Sequence, residues 1–333
     1  MCVIKNKTIL VTGGAGFVGS YVLEQLLEED VKEIIVIDNL VRGSRKNIET
    51  SLASGKVRLI EGDICNRDFI TPLFKDVDYC FHLAALRITH CAAHPDEALA
   101  VMYNGTYNVL QACVAHKVQR VVFASSASVY GQADVFPTNE KHHPYNNFTL
   151  YGAAKAANEL MLRSFQQMYG LEYNILRYFN IYGPRMDTHG KYTEVFIRWY
   201  HLIKEGKPPL IFGDGKQTMD FVYISEVAKA TILALKTKMA GEVFNVAEGR
   251  ETSLEELCLT LLEVMGVPLK PEYVPIPEDR KKVEVLRRLA DTSKAAAGLQ
   301  FQTQISLKEG LQRLVQWLRE QETATNLGGL RSG

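Results

Sequence analysis

Two tyrosine–lysine pairs stand four residues apart in this chain: Tyr151 with Lys155 in YGAAK, and Tyr200 with Lys204 in YHLIK. Residues at i and i+4 share one helical face, so either pair can bring a phenol beside an ammonium. A phenol titrates near pH ~10 and is a poor base at neutral pH, but a neighbouring positive charge favours the phenolate. Such a pair can take a proton from a hydroxyl. Spacing alone does not choose between them: with 15 tyrosines in the chain, about one such pair arises by chance.

A second chemical signal lies near the N-terminus. VTGGAGFVGS places Gly13, Gly16 and Gly19 between a short apolar run and a helical pattern. Glycines there let the backbone turn tightly and approach a pyrophosphate seated on the helix N-terminus. Asp38 closes the next apolar run, 19 residues past Gly19. A carboxylate at that place accepts hydrogen bonds from a ribose diol and repels a 2′-phosphate, so the expected cofactor is NAD rather than NADP. Arg42 and Arg45 follow close behind and weigh the other way.

The elements that must position these residues alternate. KTILVT, KEIIVID, VRLIEGD, VDYCFHLAA, VQRVVFASS and LEYNILRYFN read as strands; VGSYVLEQLLEE, EALAVMYNGTYNVLQACVAH and the Tyr151 segment read as helices. This alternation predicts an α/β fold, a doubly wound parallel sheet of Rossmann type over residues 1–180. From about Ile181 loops and mixed elements take over, which predicts a smaller α/β substrate lobe over 181–322, with some elements returning to the first domain. In that lobe, Ser253 is placed to cap the helix SLEELCLTLLEVMG. Residues 323–333 read as a disordered tail.

Composition bounds the partners. Lys+Arg and Asp+Glu both number 38 in 333 residues, so no basic excess points to nucleic acid or an anionic membrane. No apolar run approaches the ~20 residues of a bilayer span, and the chain opens directly on a strand; a cytoplasmic protein is expected. Six cysteines without a C-x-x-C pattern read as reduced thiols, and no metal site is expected. His82 reads as a strand-end structural histidine. His142 and His143 fall in a loop and are expected to face solvent.

The glycine pattern, HLAA at His82–Ala85, SSASVYG at Ser125–Gly131, YGAAK at Tyr151–Lys155 and RYFNIYGPR at Arg177–Arg185 follow one another in order. Together they resemble the extended short-chain dehydrogenase/reductase family, its nucleotide-sugar epimerase and dehydratase group, and the whole pattern is most similar to the UDP-glucose 4-epimerases. The resemblance spans about residues 7 to 318. It implies a catalytic triad of Ser126, Tyr151 and Lys155, with Lys155 also holding the nicotinamide ribose. It places Phe17, Val18, Asn39, Asp63, Ile64, Leu83, Ala84, Ala85, Asn104, Ser125 and Tyr178 on the cofactor, beside the glycines and Asp38. Phe179 is expected with Tyr178 at the nicotinamide. Arg87, Asn180, Arg185 and Arg288 are expected on the substrate, as are Ser126 and Tyr151. The Tyr200 pair lies away from the strand ends and reads as core packing with a solvated lysine. A homodimer is implied, built on EALAVMYNGTYNVLQACVAH and YGAAKAANELMLRSFQQMYG.

Two positions depart from the family pattern. Met219 stands where relatives carry an arginine for the substrate pyrophosphate, and Glu194 where asparagine is frequent. Arg185, Arg198, Lys281, Arg287 and Arg288 remain as diphosphate candidates. UDP is favoured, with GDP, CDP and dTDP open. Arg288 falls near a position that limits the sugar pocket, and it can pair with a uronate carboxylate, pair with a phosphate or snorkel to water. The implied activity is NAD-dependent 4-epimerisation of a UDP-hexose or UDP-uronate through a transient 4-keto sugar. A 4,6-dehydratase, a uronate decarboxylase, a net dehydrogenase and a non-catalytic NAD sensor are the alternatives. Dehydratases of the family place Asp-Glu directly after the catalytic hydroxyl residue, and decarboxylases commonly keep the glutamate. Ala127 and Ser128 stand here, which favours the epimerase.

Overall fold

The computed structural model describes residues 4–188, 195–277 and 285–329. Its first half alternates as β1 (Thr8–Thr12), α1 (Phe17–Glu28), β2 (Glu33–Asp38), α2 (Glu49–Ala53), β3 (Val57–Glu61), α3 (Arg67–Ile70) and β4 (Tyr79–His82). There follow α4 (Ile88–Ala93), α5 (Pro95–Ala98), α6 (Thr106–Ala115), β5 (Arg120–Ser126), α7 (Leu150–Tyr169) and β6 (Glu172–Tyr178). β1, β2 and β5 are rich in β-branched and apolar residues and are almost fully buried, as strands covered on both faces must be.

Beyond Phe179 come β7 (Asn180–Tyr182), α8 (Val195–Lys204), β8 (Leu210–Phe212), β9 (Thr218–Met219), β10 (Phe221–Tyr223) and α9 (Ile224–Lys236). The remainder comprises β11 (Glu242–Val246), β12 (Thr252–Ser253), α10 (Leu254–Met265), β13 (Glu272–Val274), α11 (Ser293–Leu299) and α12 (Leu307–Gly329). Seven strands form one parallel sheet in the order β11-β6-β5-β4-β1-β2-β3. The order reverses between β1 and β4, and the crevice at their carboxyl ends is where such sheets take a ligand. One core joins α1 and α9 to the sheet; a second lies under α6 and α7. A third, around Trp199, Tyr182 and Leu311, holds the later elements together.

Several local expectations meet the structure directly. Ser253 Oγ accepts from the Glu256 amide at 3.0 Å and caps α10. LEYNILRYFN is two strands: the chain leaves the large sheet at Phe179, and β7 pairs with β10 instead. EALAVMYNGTYNVLQACVAH is helical but contains a π-helical stretch, Leu99–Gly105, between α5 and α6. The tail expected from residue 323 does not begin there, because α12 continues to Gly329. Lys204 and Lys46 tie that helix down through Glu322 at 2.7 Å and Gln321 at 2.9 Å. Residues 330–333 lie outside the described residues.

Candidate active site

β1 delivers the chain to Gly13, whose φ of +72° suits only glycine without strain. A Cβ there would lie 2.7 Å from the Ala84 nitrogen, so the exits of β1 and β4 are packed backbone to backbone. Gly19 sits one turn into α1 against Gly13. Gly16, the N-cap of α1, differs: a Cβ there would meet only the Gly13 carbonyl oxygen, at 3.2 Å. No side chain caps the helix, so the amides of Phe17 and Val18 are not taken by a cap. Their side chains pack against the third core.

Asp38 is buried, and its two oxygens accept from the amides of Ala15 at 3.0 Å and Leu40 at 2.9 Å. Burial pushes its carboxyl up and those amides pull it back. Asn39 reaches Asp63 at 3.3 Å, Asp63 also accepts from the Cys65 amide at 2.8 Å, and Ile64 is buried against Gly105. The Leu83 amide donates to Thr12, and Ala84 and Ala85 continue the floor as small residues. His82 is fully buried between Thr12 at 2.7 Å and Thr106 at 3.0 Å, and burial drives its pKa down to about 3. It is a neutral structural link between β1, β4 and α6. An uncapped helix N-terminus, a carboxylate at the end of β2 and a floor of small residues fit NAD.

The reactive residues converge on the same crevice. Thr149 Oγ1 accepts from Gly152 at 3.1 Å and starts α7. A Cβ on Gly152 would collide with the Ser128 carbonyl and Asn147, so glycine lets α7 abut the turn after β5. This close approach brings Tyr151 near enough to Ser126 for that hydroxyl to act on the phenol. Lys155, buried one turn on, donates to the Ala124 carbonyl at 2.6 Å and lies 4.7 Å from the Phe123 ring centre and 5.9 Å from that of Tyr151. Burial lowers Lys155 to about 8 and raises Tyr151 to about 12, with Ser126 and the charge of Arg288 opposing the latter. The chain's own groups thus leave the phenol protonated: burial outweighs the lowering expected from a neighbouring positive charge. Tyr200, by contrast, is buried in the third core and reaches Glu322 at 3.3 Å, the same carboxylate that pairs with Lys204.

The remaining expected residues divide. Arg288 comes close enough to Tyr151 to interact electrostatically, in a desolvated place that lowers its pKa to about 10. Asn180 donates to the Asp220 carbonyl at 3.0 Å. Arg87 and Arg42 share Asp187, at 3.4 Å and 3.6 Å. Arg185 pairs with Glu24 at 2.5 Å and lies over the Tyr21 ring, both on α1. Arg287 is held bidentately by Glu251, and Arg198 lies over Phe212. The Tyr178 hydroxyl points into the first core, bonded to Thr231 at 2.7 Å, while Phe179 packs with Ala127 and Tyr130. Ser125 Oγ turns to Glu159 at 2.5 Å, inside a buried pair with Arg177. Asn104 is exposed; Met102 and Cys91 join the cluster around Tyr151 instead. His142, expected in solvent, has a side chain only 4% exposed. Glu194 and Lys281 lie outside the described residues.

Sequence reasoning missed Asp220. Its carboxylate accepts from the amides of Glu248, Gly249 and Ala290, and its carbonyl accepts twice from Asn180. One buried side chain thus stitches β11's exit to the Arg288 segment. Its only signal was an acidic residue inside an otherwise apolar strand passage, TMDFVY.

Comparison with known proteins agrees with this geometry. The NAD dependent epimerase/dehydratase family matches residues 9–247. The solved UDP-glucose 4-epimerase of Thermotoga maritima, with UDP-glucose, is 33% identical over 94% of this chain and 99% of its own, with TM-score 0.86. The UDP-glucuronic acid 4-epimerase of Bacillus cereus, solved with UDP-glucuronic acid and NAD, is 29% identical over 94% and 99%, with TM-score 0.84. The UDP-N-acetyl-alpha-D-glucosaminuronate decarboxylase of Bacillus cytotoxicus is 32% identical over 95% and 99%. With a parallel sheet reversing beside a glycine turn and a Ser-Tyr-Lys set at its carboxyl edge, this chain belongs to the NAD-dependent epimerase/dehydratase family.

Proposed function

We propose that the chain is a UDP-sugar 4-epimerase. The observation that carries the reading is what adjoins Ser126. Ala127 is buried and has no proton to transfer. Ser128 uses its amide on Ser126 Oγ at 3.1 Å and its carbonyl on Asn147 at 2.8 Å. Dehydration needs an acid for the departing hydroxyl and a base for a ring proton. Epimerisation needs neither, since the same hydride returns to the opposite face.

When bound, NAD supplies the hydride acceptor and a positive ring. Tyr151 takes the proton from the sugar 4-hydroxyl and later returns it. Ser126 hydrogen-bonds the reacting oxygen, and Lys155 holds positive charge beneath the phenol. Arg288, desolvated and beside Tyr151, favours a sugar bearing an anion near the reacting carbon, a UDP-uronate over a neutral UDP-hexose. A matched panel of UDP-hexoses and UDP-uronates deuterated at C4 tests this by NMR. The expected product is the C4 epimer with deuterium retained at C4. Release of carbon dioxide or a stable 4-keto-6-deoxy sugar overturns the epimerase reading, and preference for the neutral sugar overturns the role of Arg288.

The reading includes a homodimer. Leu99, Tyr103 and Tyr107 recur every four residues, 53%, 43% and 41% exposed, and Leu160 on α7 is 65% exposed. Neighbouring helices with apolar outer faces suit a four-helix contact with a second copy.

A further inference from the structure

The loop between β5 and α7 gathers three potential metal ligands that the chemistry above does not use. The ligand atoms of Asp134, His142 and His143 all lie within 4.8 Å of one another. His142 Nδ1 is 2.7 Å from the His143 carbonyl oxygen, which can only accept, so Nδ1 carries a proton. In the neutral ring, Nε2 then presents a lone pair. It faces Asp134 Oδ1 at 2.6 Å, another lone pair, and the Asp134 backbone amide approaches it less closely, at 3.3 Å. A cation must lie between two such acceptors, either a proton or a metal ion.

The arrangement favours a metal in three respects. The Nδ1–carbonyl bond is the outer support that metal-binding histidines use to aim Nε2. His142 is held by packing, edge-on to Tyr130 with ring centres 5.8 Å apart, and its side chain is 4% exposed. Asp134 and His143 stay accessible at 57% and 41%, with Asp134 Oδ2 3.5 Å from His143 Nε2. Bonds of about 2.0–2.2 Å to a tetrahedral ion set neighbouring ligand atoms roughly 3.3 Å apart, which the two spacings bracket. The Tyr145 amide donates to His143 Nδ1 at 3.3 Å, which leaves the neutral ring's proton on Nε2; binding a metal at Nε2 moves that proton to Nδ1 and gives up the long Tyr145 contact.

We propose that Asp134, His142 and His143 form a site for a divalent transition metal of the zinc class, with water as fourth ligand. Two imidazoles and a carboxylate suit that ion. The site would join both limbs of the loop that also carries Asn147, the residue bonded to the Ser128 carbonyl and the Thr149 amide.

The test is zinc titration of the chelator-treated full chain, by calorimetry and by elemental analysis after gel filtration. One zinc per chain is expected, with proton release and a raised melting temperature. Asp134→Asn and His143→Ala, both at accessible side chains and checked by circular dichroism, should each weaken binding more than tenfold. His94→Ala, which removes the ring 4.7 Å from that of His90, controls for the exposed cluster of His94, His90 and Glu97 and should bind as the unaltered chain does. Absence of stoichiometric zinc, or unchanged binding in both loop variants, overturns the site. So does loss of binding in His94→Ala alone.

Discussion

Replacing Tyr151 by phenylalanine removes one oxygen and leaves the ring that packs against the cluster of Cys91, Ala98, Met102 and Ala154. Turnover should fall more than about 100-fold, the scale of positioned acid–base catalysis, while NAD content measured after gel filtration stays that of the unaltered chain. Tyr200→Phe should remain active. Lys155 allows a test without substrate. Its ordinary pKa of 10.5 falls to about 8 on burial. Between those values the unfolded chain holds more protons than the folded one, so this group's contribution to stability rises as pH climbs through the window. Urea unfolding below pH ~8 and near pH ~10 should show the difference between the unaltered chain and Lys155→Met shifting in favour of the unaltered chain. A difference independent of pH would mean that the ammonium is not desolvated.

At the scale of elements, the glycine turn separates two roles. Gly13→Ala strains a positive φ and drives a methyl into the Ala84 backbone. It should lower the unfolding free energy by more than ~1 kcal/mol as well as weaken NAD binding. Gly16→Ala has an extended backbone, φ −79°, and one tight contact, the Gly13 carbonyl oxygen at 3.2 Å. It should keep the melting temperature and lose NAD affinity, because its methyl projects where the pyrophosphate approaches. Equal destabilisation of the two variants by calorimetry would contradict this division. The π-helical stretch shows where element reading fails. Helical periodicity identified Leu99–Gly105 as helix, but it could not place a wider turn within it. Met102 is buried at the site and Asn104 is exposed.

For the whole molecule, the outward apolar residues of the π-helical stretch, α6 and α7 set the expectation. Light scattering at micromolar concentration should report twice the mass of the chain, and Leu160→Glu should shift it toward one chain without loss of helicity. A monomer in the unaltered chain would contradict the proposed contact. No helix among the described residues is long and apolar enough to cross a membrane.

Periodicity and local chemistry carried the large sheet, the glycine turn, Asp38 and the Ser253 cap, because each depends on neighbours in sequence. The Tyr151–Lys155 pair was visible as spacing, but only packing separated it from Tyr200–Lys204: one pair meets Ser126, the other a carboxylate on α12. The arginines show the same limit. A guanidinium on a long side chain goes to whichever anion the fold brings near, so Arg185 and Arg287 went to Glu24 and Glu251. Arg288 lies within electrostatic reach of Tyr151, on a segment that the buried carboxylate of Asp220 anchors through the Ala290 amide. Sequence determined which residues could react; long-range contacts decided which of them meet.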